Sequence, residues 1–72
     1  MPVFKLGLKN GGYMEHPGYS LDDVKTITAP DLNSAKIEYA RLTKLDKKHE
    51  WDSKRLTYWG LQIVTVQEFY GI

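Results

Sequence analysis

One stretch of this sequence carries the period of a helix, and the segments around it read as strands or connections. Pro30 stops the preceding run and Asp31 stands where a helix N-cap belongs, its carboxylate able to accept from the orphan N–H groups of a first turn. From there Leu32, Ala35, Tyr39 and Leu42 fall within roughly 80° on a wheel of 100° per residue, with Thr43 and Lys36 at the edge. Ser34, Glu38 and Arg41 lie opposite, and Ile37 is off the main stripe. The spacing predicts one helix from Leu32 to Thr43 or Lys44, with those four side chains against a sheet.

The sheet comes from period-two segments on either side. Phe4, Leu6 and Leu8 alternate with Val3, Lys5 and Gly7, which makes Val3 to Lys9 a half-buried strand ended by Asn10-Gly11-Gly12. Val24 to Ala29 is short and β-branched and reads as a second strand. Leu56 to Gln67 is the strongest strand signal. Its alternation slips between Ile63 and Val64. Either a bulge near these residues or a central strand apolar on both faces accounts for that, and Gly60 beside Trp59 is a second candidate for the irregularity. Phe69, Tyr70 and Ile72 form an apolar tail, which can dock on the same domain or on a partner.

Two connections remain. Residues 10–23 contain Gly11, Gly12, Pro17 and Gly18, with Tyr13, Met14, His16 and Tyr19 between them, and Leu21-Asp22-Asp23 reads as a turn or a short helical piece. Thr43 to Arg55 is the most charged stretch, five Lys or Arg against three Asp or Glu from residue 44 onward. Leu45 and Trp51 are its only strong apolar residues, so it is expected to fold back over the domain pinned by those two. The fold expected is α+β, a three-stranded, mainly antiparallel sheet with one helix on one face, in the order β-β-α-β. A single helix leaves the other face polar, covered by loops, or buried against a second molecule.

Size and composition narrow the function. Seventy-two residues make one domain, residues 1–72, of marginal stability. The absence of cysteine removes disulfides and thiolate zinc sites as supports. A formal charge of +1 gives no strong field for steering nucleic acid or an anionic membrane. No apolar stretch approaches the ~20 residues of a membrane span, and the opening residues lack the pattern of a signal peptide. A cytoplasmic protein is expected. His16 and His49 form no paired ligand pattern, so no metal is expected, and no cofactor either, because Gly11-Gly12 lacks the rest of a phosphate cradle. Without a nucleophile motif the chain reads as non-enzymatic.

Binding is what remains. Trp, Tyr and Arg are typical interface anchors, and Tyr13, Tyr19, Trp51 and Trp59, rimmed by Lys47, Lys48 and Arg55, form the expected partner-binding set. A protein is the leading partner class, with a second copy of the chain among the candidates. The alternative is nucleic acid, held by Lys44, Lys47, Lys48, Lys54 and Arg55 around Trp51.

Residues 26–46, Thr-Ile-Thr-Ala-Pro-Asp-Leu-Asn-Ser-Ala-Lys-Ile-Glu-Tyr-Ala-Arg-Leu-Thr-Lys-Leu-Asp, followed by Leu-Thr-Tyr-Trp-Gly-Leu-Gln-Ile-Val at 56–64, carry a further hint. A strand ending in Thr-Ala, a helix with Ala-Lys and Tyr-Ala, and a later aromatic–Gly strand resemble a pattern seen in small phage- or prophage-encoded accessory proteins. The resemblance covers about half the chain. It implies a protein that acts by binding a host or phage protein, or nucleic acid, rather than by catalysis.

Overall fold

The computed structural model describes residues 1–11, 18–58 and 61–71. Among these, five strands form one antiparallel sheet: β1 (Val3–Gly11), β2 (Tyr19–Thr28), β3 (Trp51–Asp52), β4 (Thr57–Tyr58) and β5 (Leu61–Thr65). Their spatial order is β2-β1-β5-β4-β3, so the strand made last lies at the centre. Helix α1 (Leu32–Thr43) packs on one face, and a short helix, α2 (Val66–Tyr70), follows β5 directly. The α+β class agrees with the sequence reading. Three strands and one helix do not, because the segment 56–67 is not one strand. Tyr58 pairs with Leu61, so the chain reverses within two residues, and at Val66 it coils into α2. Trp51-Asp52 is too short to show any period and pairs with Tyr58 and Thr57.

The slipped alternation in β5 is that of a central strand rather than of a bulge near Ile63 or Val64; Gly60, the other candidate, lies outside the described residues. Leu6 to Lys9 pair with Thr65 to Gln62 in unbroken register, which rules out a bulge there. Ile63, Val64 and Thr65 are all buried, because this part of the central strand is covered by the core on one face and by α2 on the other.

Helix α1 begins where Pro30 and Asp31 place it. The Asp31 backbone is extended and its Oδ1 accepts from Ser34 N at 2.7 Å. The helix ends at Lys44, whose left-handed backbone (φ 63°) turns its N–H back onto the last turn. The buried stripe is Ala35, Tyr39 and Ala40, with Leu32 packed at its margin. Leu42, expected in the core, is 48% exposed. The stripe is rotated toward Ala40, and a leucine in the last turn overhangs what the sheet can cover. Ile37 is exposed too.

One core holds the layers together: Leu6 from β1, Ile27 from β2 and Ala29 just after it, the α1 stripe, Leu45 and Ile63, with Phe4, Leu8, Trp51 and Tyr58 packed at its margin. Leu45 and Trp51 thus pin the charged stretch as expected, though it contains a 3-10 turn (Leu45–Lys47) and β3 rather than loop alone. On the opposite face α2 contacts β1, β2 and β5. Thr65 Oγ1 caps it by accepting from Glu68 N at 3.0 Å. Phe69 is half-buried there and Tyr70 exposed, so the apolar tail docks in part on its own sheet; Ile72 lies outside the described residues. Among the described residues no helix is long and apolar enough to cross a membrane.

Candidate interaction surface

The longest strand in the sheet is also its edge. β2 begins at Tyr19, not at Val24, and Leu21-Asp22-Asp23 belongs to it rather than to a turn. A register shift hides this in the sequence. Leu6 pairs with Lys25 and Leu8 with Asp22, so β2 spends two residues, Asp23 and Val24, where β1 spends Gly7 alone. Asp23 takes a left-handed backbone (φ 51°), which an Asp tolerates better than most residues.

Such a bulge leaves carbonyls without ladder partners, and α1 supplies the missing donor. Tyr39 Oη donates to Asp23 O at 2.8 Å and lies 3.4 Å from Asp22 O. Tyr39 has no exposed surface. Burial, and after it the Asp23 and Asp22 carboxylates, push its phenol up to about 12. On the other side of the sheet Gly7 makes room for Leu21: a Cβ at position 7 would sit 2.7 Å from Leu21 Cγ and 3.1 Å from Asp22 O.

Among the described residues no strand lies beside the outer edge of β2. Ala29 N donates to Pro2 O at 3.1 Å. Since N–H and C=O alternate sides along a strand, Ile27 and Lys25 face β1, and Thr26 and Thr28 present their backbone groups outward. Exposed apolar side chains flank this edge: Tyr19 at 58%, Val24 at 50% and, on β1, Val3 at 60%. Lys9 Nζ lies over the Tyr19 ring, 4.3 Å from its centroid. The two residues line a groove of about 260 Å³ with Gln62, Val64, Glu68 and Phe69.

The residues expected to bind a partner do not form one patch. Tyr19 is on β2 and Trp51 on β3, the two opposite edges of the sheet. Four inter-strand steps separate them, ~19 Å at ~4.8 Å each. Tyr13 and Trp59 lie outside the described residues. Lys47, Lys48 and Arg55 are exposed near Trp51, and so are Lys44 and Lys54, which puts the whole basic set at the β3 end. Trp51 is half-buried against the core, which limits the ring area it can offer a base. Asp52 organises the turn after it: Oδ1 accepts from Lys54 N at 3.0 Å and Arg55 N at 3.1 Å, and Oδ2 stands 4.0 Å from Arg55 Nε.

Other perturbed groups have local, structural causes. The Ser34 N–H holds the Asp31 carboxyl below its usual range, and the Arg41 guanidinium does the same for Glu38. Among the described residues no three His, Cys, Asp or Glu side chains converge as metal ligands would. What sequence reading missed is the extent of β2 along this free edge, from Tyr19 rather than Val24. Its signal was the alternation of Tyr19 and Leu21, which the neighbouring Asp pair obscured. No protein-family model, curated protein or solved structure matches the chain.

Proposed function

We propose that this chain is a non-enzymatic protein-interaction module that takes an extended segment of a partner along the outer edge of β2. The observation that carries the reading is the outward backbone of Thr26 and Thr28, without a strand partner among the described residues, on a ten-residue edge strand flanked by exposed Tyr19, Val24 and Val3. Strand addition draws affinity from main-chain hydrogen bonds and selectivity from alternate side chains. The bulge at Asp23 and the stop at Pro30 confine the flat portion to Val24–Thr28, which limits indiscriminate edge-to-edge pairing. The partner is a host or phage protein, in keeping with the resemblance to phage and prophage accessory proteins. The cysteine-free chain suits a reducing cytoplasm. A second copy of the chain is another occupant of the same edge, and sedimentation across a concentration series reads it directly.

A second reading is favoured by one observation: Lys44, Lys47, Lys48, Lys54 and Arg55 are all exposed at one end of the sheet. It makes that end a nucleic-acid contact. Asp46, Glu50 and Asp52 interleave with the basic residues and weaken the field.

One experiment separates the two. The chain, Thr26→Pro and Lys47→Glu/Lys48→Glu serve as baits in a host lysate, with and without nuclease and at two salt concentrations. Proline at 26 removes an outward N–H that β1 does not use. Strand addition predicts nuclease-resistant, salt-tolerant capture that Thr26→Pro loses. Capture that nuclease or moderate salt abolishes, and that only the double charge reversal prevents, refutes it in favour of phosphate contacts.

A further inference from the structure

Helix α2 is too short to cover the sheet face on which it lies. The odd-numbered residues of β1 point to that face. Val3 pairs with Thr28 and Lys5 with Thr26, and all four are exposed, whereas Gly7 is buried. The helix starts beside Lys5, which shares a groove with Val66, and by Phe69 it has reached Lys9 and Tyr19. It thus runs in the direction of β1, covering the far half of that strand and leaving the near half bare.

The apolar side chains left outside follow the same division. Lys25 pairs with Leu6 on the core side, so Val24 points to the α2 side. Val3, Tyr19, Val24 and Tyr70 are all at least half exposed there, among the described residues. The two most exposed of the four stand at opposite ends of the face: Val3, at 60%, opens β1, and Tyr70, at 66%, closes α2, edge to face on Phe69 with centroids 5.0 Å apart.

We propose that a second copy of the chain covers this face, in a dimer whose two-fold axis lies between the two sheets and crosses β1 midway from Val3 to Lys9. Those six steps span ~20 Å at ~3.3 Å each. The operation lays α2 of each copy over the bare half of the other's sheet, and Tyr70 of each against Val3 of the other. A two-fold pairing needs a face that complements itself, and this one carries a ridge at one end and a bare strip at the other. Its charges are disposed likewise, Lys5 on the bare half and Glu68 on the ridge, both exposed, while Lys9 is held over the Tyr19 ring. The area is adequate as well. The chain exposes 5221 Å², against ~4,600 Å² for a compact monomer of 8.3 kDa. The surplus, about 600 Å², approaches the ~800 Å² that each partner buries in a stable interface. Dimerisation also supplies the support that a small domain without disulfides needs. The inference does not rest on strand addition: the dimer leaves the outward backbone of Thr26 and Thr28 open, once per copy.

Sedimentation equilibrium of the full chain across a concentration series tests it. A mass of twice 8.3 kDa is expected, falling toward the single value on dilution. Val3→Glu and Tyr70→Lys, both at exposed positions of the single copy, should keep the circular dichroism spectrum and raise the dissociation constant about tenfold or more, because each buries a charge in an apolar contact. Mixed in equal amounts, the two variants should recover the dimer. A mixed pair keeps one native contact and sets the two introduced charges, opposite in sign, against each other. Thr26→Pro should remain dimeric. A chain that is monomeric throughout the series overturns the proposal. So does a dimer that survives either face variant, whether or not Thr26→Pro breaks it, and so does a mixture of monomeric variants that fails to pair.

Discussion

Replacing Tyr39 with Phe isolates one hydroxyl, and the structure says what that hydroxyl supports. It is the donor to Asp23 O, a carbonyl at the β2 bulge. Phe fills the same volume, so the apolar packing of this wholly buried ring is retained. What is lost is a hydrogen bond worth ~0.5–1.5 kcal/mol net, plus the cost of leaving a part-buried carbonyl unpaired, which brings the total to about 1–2 kcal/mol. In a domain of this size each kcal/mol moves Tm by ~4–8 °C, so a fall of about 5–15 °C is expected in a thermal melt. The pH dependence is a second signature. The phenol is raised from 10.0 to about 12 in the folded chain. A raised acid is stabilising in its neutral form, fully so below the unfolded value, and that contribution is lost as pH climbs through the folded value. The gap in stability between the native chain and Tyr39→Phe should therefore narrow from pH 10 to about 12, and measuring the difference cancels the other tyrosines and lysines that titrate there. A thermal melt at neutral pH provides the first reading, and denaturant melts at pH 8, 10 and 11.5 provide the second. A Tm within two or three degrees of the native chain, with stability curves that stay parallel above pH 10, refutes the claim that Tyr39 supports the bulge.

Gly7→Ala places a methyl against Leu21 and Asp22 O, and overpacking of this kind costs ~1–3 kcal/mol; an unchanged urea midpoint contradicts the close approach. Leu6→Ala empties a fully buried site and should cost ~2–5 kcal/mol, whereas Leu42→Ala, at an exposed position, should stay within ~0.5 kcal/mol. The reverse ranking in paired chemical melts rejects the helix phase. Asp31→Ala removes the acceptor for Ser34 N and should lower Tm at neutral pH. Because the Asp31 carboxyl is depressed below its ordinary 3.8, its contribution is present above that pH and disappears as pH falls through the folded value, so the two melts should converge in acid.

How much of this was legible depended on whether a signal was local. Pro30-Asp31 and the stripe of Ala35 and Tyr39 placed α1 correctly from spacing alone, and Leu45 and Trp51 announced their packing by being the only strong apolar residues in a charged run. Leu42 misled because a helical wheel treats every turn as equally covered, while a sheet of finite size covers only some. The first half of β2 was missed because Asp22-Asp23 is turn chemistry, and here it serves a bulge inside a strand. The hairpin of β4 and β5 was missed because a two-residue reversal inside an apolar run leaves no break in hydrophobicity. Separation of Tyr19 from Trp51 was not readable at all: it follows from strand order, which is set by pairing between β1 and β5 across nearly the whole chain.

That pairing also dictates when the protein can become itself during synthesis. β1, β2 and α1 precede β5 in the chain and can meet before it, yet until β5 joins them Leu6 and Leu8 lack Thr65 and Ile63. A nascent chain stalled short of residue 61 carries an apolar strand open on the side where β5 belongs, the kind of species that aggregates or recruits chaperones. Closure of the core therefore waits on β5, and the long separation between β1 and β5 in the chain makes that closure slow.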